Sequence, residues 1–144
     1  MSEKEGIKSN PTAAAKDAHA GPIKLLLVDD ETGFVDILAK RLGKRNMDVT
    51  SAYSGTDGIQ LIRKQDFDVA VLDLKMEDMD GLEVLKIFKK AYPEMEVIML
   101  TGHGSKHAAM EGIELGAFDY LTKPCELADL MAKIREAYAA RKRG

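Results

Sequence analysis

The chain has 144 residues, a length that suits one domain with one sizeable core and leaves no room for a two-domain enzyme. Hydrophobic residues make up 45% and charged residues 31%, with 4 Pro, 12 Gly and no Trp, which excludes collagen-like, low-complexity and wholly disordered chains. Lys and Arg number 21 against 24 Asp and Glu, so the basic footprint of a direct nucleic-acid binder is missing; the one cysteine, Cys125, rules out an internal disulfide, and no apolar run is long enough for membrane insertion. A cytoplasmic location is the expectation.

Residues 1–22 carry only Met1 and Ile7 as large apolar side chains, and their six charges cancel. Such a segment buries too little to order itself, so it is expected to be a disordered N-terminal extension. The pattern changes after Gly21-Pro22, where Ile23 to Val28 reads as a strand. A helix follows, with Phe34, Ile37, Leu38 and Leu42 as its apolar stripe. Met47 to Ala52, Asp68 to Leu72, Glu96 to Leu100 and Ala117 to Leu121 read as further strands. Leu25-Leu26-Leu27-Val28 and Val69-Ala70-Val71-Leu72 are continuously apolar, as expected of strands covered on both faces of a parallel sheet. Leu82, Leu85 and Phe88 mark the helix after Gly81, and Ala109, Met110 and Ile113 the one before Gly116. Leu127, Leu130, Met131, Ile134 and Tyr138 mark the last helix, and Arg141-Lys142-Arg143 opens a basic C-terminal tail at 141–144. Five strand signals alternating with five helix signals argue an α/β fold with a doubly wound, five-stranded parallel sheet.

In such a sheet, ligands gather at the carboxyl ends of the strands. Asp29 and Asp30 follow the first strand, Asp73 the third, Thr101 the fourth and Lys123 the fifth. An Asp at a strand end is often only the cap of the next helix. Capping accounts for one such Asp, and not for an acidic pair, a third Asp and a Lys on the same edge. Three converging carboxylates need a cation or a proton, and a hard oxygen set selects Mg²⁺, Mn²⁺ or Ca²⁺. A carboxylate beside a divalent ion is a nucleophile toward phosphorus, with the ion and the lysine neutralising the phosphoryl oxygens. Three Asp, one divalent ion and one Lys sum to zero charge; a phosphorylated Asp leaves the set about one unit negative, and the Thr101 hydroxyl is a donor for that excess.

Leu27-Val28-Asp29-Asp30-Glu31, Val71-Leu72-Asp73-Leu74-Lys75-Met76, Met79-Asp80-Gly81, Leu100-Thr101-Gly102 and Gly116-Ala117-Phe118-Asp119-Tyr120-Leu121-Thr122-Lys123-Pro124 together resemble the receiver domain of bacterial two-component response regulators. The resemblance covers roughly residues 23–140. It implies a flavodoxin-like fold with strand order 2-1-3-4-5, and Asp73 as the phosphoacceptor. It also implies Mg²⁺ bound directly by Asp30, through water by Asp29, by Asp73 and by the Lys75 carbonyl. Thr101, Tyr120 and Lys123 match the family's switch residues, and a cis Lys123-Pro124 bond is implied. The implied partners are a sensor histidine kinase or phosphotransfer protein, an unspecified downstream protein, and a second copy docking through the fourth helix, fifth strand and fifth helix. The domain would catalyse its own phosphorylation from phosphohistidine and its own dephosphorylation without being a stand-alone enzyme.

Some residues depart from the family pattern. Glu77 stands where many relatives have proline, and Cys125 where many have Phe. Lys75 and His103 occupy the positions that flank the path of the hydrolytic water in the family. His103 and His107 have the spacing of a helical metal pair, but Gly104 interrupts the helix such a pair needs. Two other functions compete: a Mg²⁺-dependent small-molecule phosphatase or phosphotransferase using Asp73, and a binding module that is never phosphorylated. The enzyme would need a second acid close after the nucleophile, and the residue two along is Lys75.

Overall fold

The computed structural model describes residues 21–102 and 105–143, so the expected N-terminal extension (but for Gly21 and Pro22), His103 and Gly144 lie outside the described residues. Among the described residues ten elements alternate: β1 (Ile23–Val28), α1 (Thr32–Gly43), β2 (Met47–Ala52), α2 (Gly55–Lys64), β3 (Val69–Asp73), α3 (Gly81–Ala91), β4 (Glu96–Thr101), α4 (Lys106–Glu114), β5 (Asp119–Thr122) and α5 (Leu127–Arg143). The strands form one parallel sheet in the order β2-β1-β3-β4-β5, the flavodoxin-like arrangement. The apolar runs of β1 and β3 sit in the middle of this sheet. Leu25 to Val28 and Val69 to Leu72 are all buried, because helices cover both faces.

Alternate strand residues feed two apolar clusters. Leu26, Val28, Ala70, Leu72, Val97 and Met99 pack against α2 and α3 through Ile59, Ile62, Val84, Leu85 and Phe88. Leu25, Leu27, Val69, Val71, Ile98 and Leu100 pack against α1 and α5 through Val35, Leu38, Leu42, Leu130, Ile134 and Ala137. The period-two alternation of a strand thus divides one sheet between two cores.

Three sequence expectations are corrected. The buried stripe of α1 is Val35, Leu38 and Leu42, with Phe34 and Ile37 on the outer side. Likewise α4 buries Ala109, whereas Met110 is exposed. Residue 117 does not open β5, because its amide closes the end of α4 on the Gly112 carbonyl. Gly116, at φ +110°, makes that reversal in a conformation an L side chain rarely adopts. The last helix continues to Arg143, so Arg141-Lys142-Arg143 forms its end, and Arg141 pairs with Asp68 at 3.2 Å.

The loop between β3 and α3 carries a cap for a different helix. Asp78 accepts from the Gly55 and Thr56 amides and the Thr56 hydroxyl, all at the start of α2, while Ser54 accepts from the Asp57 amide. These bonds, the Thr56 amide first, hold the Asp78 carboxyl below its ordinary range. Asp78→Ala is therefore expected to cost about 1 kcal/mol of stability at neutral pH. The contribution is present above the unfolded carboxylate pKa of about 4 and disappears as pH falls through the depressed folded value. Urea midpoints of the two proteins should differ at pH 7 and converge on acidification; a difference unchanged at about pH 3 would contradict the capping role.

Candidate functional site

The parallel sheet brings the carboxyl ends of β1, β3, β4 and β5 to one edge, and the residues there are those singled out in the sequence. Carboxylate oxygens of Asp29, Asp30 and Asp73 lie within 4.8 Å of one another. Asp29 and Asp73 are buried, as is Thr101.

Each acid is fixed by a backbone amide. Asp29 Oδ1 accepts from the Glu31 amide at 2.9 Å, and Asp73 Oδ1 from the Lys75 amide at 3.2 Å. Asp30 Oδ2 accepts from the Glu77 amide at 2.9 Å, a bond that a proline at 77 has no N–H to make. Local turn bonding therefore uses one oxygen each of Asp29 and Asp73, and their Oδ2 atoms face Lys123 at 2.8 and 3.7 Å. Asp80 caps the helix that follows it, accepting from the Leu82 amide at the start of α3. Lys75 is exposed, and its backbone pairs with that of Asp80 in an isolated antiparallel bridge across the loop. Gly81 lets this loop close. Its amide donates to the Leu74 carbonyl, and a Cβ on it would stand 2.4 Å from Leu74 Cα.

Lys123 reaches the acids from the end of β5, where the Lys123-Pro124 bond is cis. Its Nζ also lies 2.7 Å from Glu31 Oε1 and 4.5 Å from the centre of the Phe34 ring. Burial works against its charge, but the bonds to Asp29 and Glu31 outweigh that and raise it above the ordinary lysine range. Asp73 behaves oppositely: burial, aided by the neighbouring Asp29 charge, pushes its carboxyl up to about 6. The lysine at 3.7 Å is too far to offset this. Thr101 donates weakly to the Leu121 carbonyl at 3.4 Å, and Tyr120 packs against the apolar cluster on the α2 and α3 side.

Asp29, Asp30, Asp73 and Lys123 thus converge, and Thr101 ends the strand beside them. Sequence reasoning missed Glu31 and Phe34 as neighbours of Lys123. No local pattern marks either one: Glu31 lies 92 residues from Lys123, and helical spacing alone does not place Phe34 on the outer side of α1.

A family model described as the response regulator receiver domain matches residues 25–135. Among solved structures, a response regulator receiver domain protein from Clostridium thermocellum is 34% identical, with a TM-score of 0.80 over 83% of this chain and 97% of that one. A CheY-like receiver domain protein from Methanospirillum hungatei is 31% identical, with a TM-score of 0.81 over 85% of this chain and 98% of that one. The receiver domain of NtrX from Brucella abortus is 29% identical, with a TM-score of 0.76 over 80% and 98%.

Proposed function

The chain belongs to the response regulator receiver domain family, and we propose that it works as a phosphorylation-controlled switch in which Asp73 accepts the phosphoryl group. The family interacts with kinases and downstream effectors, and no described helix is long and apolar enough to cross a membrane. The observation that carries the reading is the cluster itself: three carboxylates within 4.8 Å, the Oδ2 atoms of two of them facing one ammonium.

The donor set fits a hard divalent ion such as Mg²⁺, since it offers only carboxylate oxygens whose positions are already fixed by backbone amides. Asp29, Asp30 and Asp73, with the Lys75 carbonyl, would hold it, and it would supply charge neutralisation for the phosphoryl oxygens. Asp73 attacks phosphorus with a carboxylate oxygen, and the donor's P–N bond breaks when the donor is a phosphohistidine. The departing imidazole nitrogen keeps the electron pair and takes a proton from solvent. Lys123 pairs with the new negative charge. Thr101 leaves its weak bond to Leu121 to donate to a phosphoryl oxygen, and Tyr120 follows it. Hydrolysis reverses the capture: water adds to phosphorus, the P–O bond to Asp73 breaks, and phosphate leaves.

The movement of Thr101 and Tyr120 changes the face formed by α4, β5 and α5, where Met110 is exposed and Lys133 pairs with Asp119 at 2.7 Å. Dimerisation through that face is the proposed readout, driven by differential affinity for the two states. Sedimentation should give a tighter dimer with beryllofluoride and Mg²⁺ than without; equal dimer constants would remove this face from the output.

Incubation with Mg²⁺ and acetyl phosphate, followed by intact mass, separates the three functional readings. The switch gains one labile phosphoryl group. Turnover of many phosphoesters would indicate the small-molecule enzyme instead, and no addition would indicate a binding module.

A further inference from the structure

We propose that Glu31 is a positioning residue that holds Lys123 away from Asp73 in the unphosphorylated protein, and so limits how fast Asp73 takes up a phosphoryl group. The inference rests on Asp73 being the phosphoacceptor.

An ammonium has three N–H donors. Lys123 directs its two short bonds to Glu31 Oε1 at 2.7 Å and Asp29 Oδ2 at 2.8 Å, and Asp73 Oδ2 lies beyond hydrogen-bonding distance at 3.7 Å. The Phe34 ring, 4.5 Å from Nζ, adds an attraction on the Glu31 side of the site, since it stands three residues further along on α1. The ammonium is therefore stationed on the start of α1 and not on the acid that reacts.

Glu31 has no evident structural reason to be there. It occupies the N-cap position of α1, where Ser, Thr, Asp or Asn would bond a free amide, yet its side chain makes no capping bond. Its side chain is 64% exposed and adds nothing to either core. What the carboxylate does is reach Lys123, 92 residues further along the chain.

A phosphoryl group arriving on Asp73 needs the charge of Lys123, and Glu31 competes for it. The competition depends on reach as well as charge. Glu31→Gln removes the charge and keeps the length, whereas Glu31→Asp keeps the charge and withdraws the oxygen by one methylene. A negative charge that merely repelled an anionic donor would be unchanged in Glu31→Asp.

The test compares the wild-type protein, Glu31→Gln and Glu31→Asp in Mg²⁺ with sub-saturating acetyl phosphate, following the phosphorylated fraction by intact mass and checking melting temperatures separately. Both variants should be phosphorylated roughly two- to fivefold faster, the range expected when one partly exposed ion pair is released. Beryllofluoride should bind both more tightly by a similar factor, and melting temperatures should barely change. Acceleration in Glu31→Gln with wild-type rates in Glu31→Asp would overturn positioning in favour of simple repulsion. Equal or slower rates in both variants would overturn it outright. A wild-type protein that takes up no phosphoryl group would overturn the reading of Asp73 and the inference with it.

Discussion

Phe88→Ala should lower the unfolding free energy by about 3–5 kcal/mol, the largest stability loss expected from a single truncation in this fold. Phe88 is fully buried on α3, in the cluster that joins α2 and α3 to one face of the sheet. Its ring lies against α2 so closely that a Cβ on Gly58 would be 3.3 Å from its Cζ. Neighbours this tightly packed collapse only partly into the space left, so a cavity penalty adds to the lost burial. Urea denaturation should show a lower midpoint with an unchanged slope. A loss under about 1 kcal/mol would mean that the α2–α3 side is far looser than its burial indicates.

Asp73→Asn should abolish phosphorylation altogether and, in the presence of a chelator, raise the melting temperature. The first effect is loss of the nucleophile, since an amide oxygen does not form a stable acyl phosphate. The second follows from the surroundings of Asp73. Burial and the neighbouring Asp29 destabilise its charged form, with Lys123 too distant to compensate. Removing that charge should gain on the order of 1 kcal/mol, less than a fully buried ion would give because the site opens to solvent. Calorimetry in chelator would show the gain. A melting temperature several degrees lower would mean that the Asp73 charge is needed to hold the site together.

The sheet was legible from local pattern, since four-residue apolar runs such as Leu25 to Val28 belong only where both faces are covered. Strand order came from the motif resemblance, because alternation of elements does not say which strands are neighbours. The outer face of α1 was misread for a physical reason. Phe34, Ile37, Leu38 and Leu42 fit helical spacing as well as Val35, Leu38 and Leu42 do, and periodicity alone does not choose between overlapping stripes. Phe34 stays outside, against the Lys123 ammonium. Of the acidic edge, the chemistry-bearing types were readable one strand end at a time. Glu31 was not, because its partner lies 92 residues away, and neither was Asp78, which caps a helix beginning 23 residues earlier. Such contacts leave no local signature.

The most direct test of the account is to locate the phosphoryl group chemically. Borohydride reduces an aspartyl phosphate to homoserine, so protein treated with acetyl phosphate and Mg²⁺, reduced and digested, can be read residue by residue by mass spectrometry. Homoserine at position 73, absent when Mg²⁺ or acetyl phosphate is omitted, is the predicted result. Homoserine at position 29 or 30, or at no position in protein shown to be folded, would contradict the assignment of Asp73 as the acceptor.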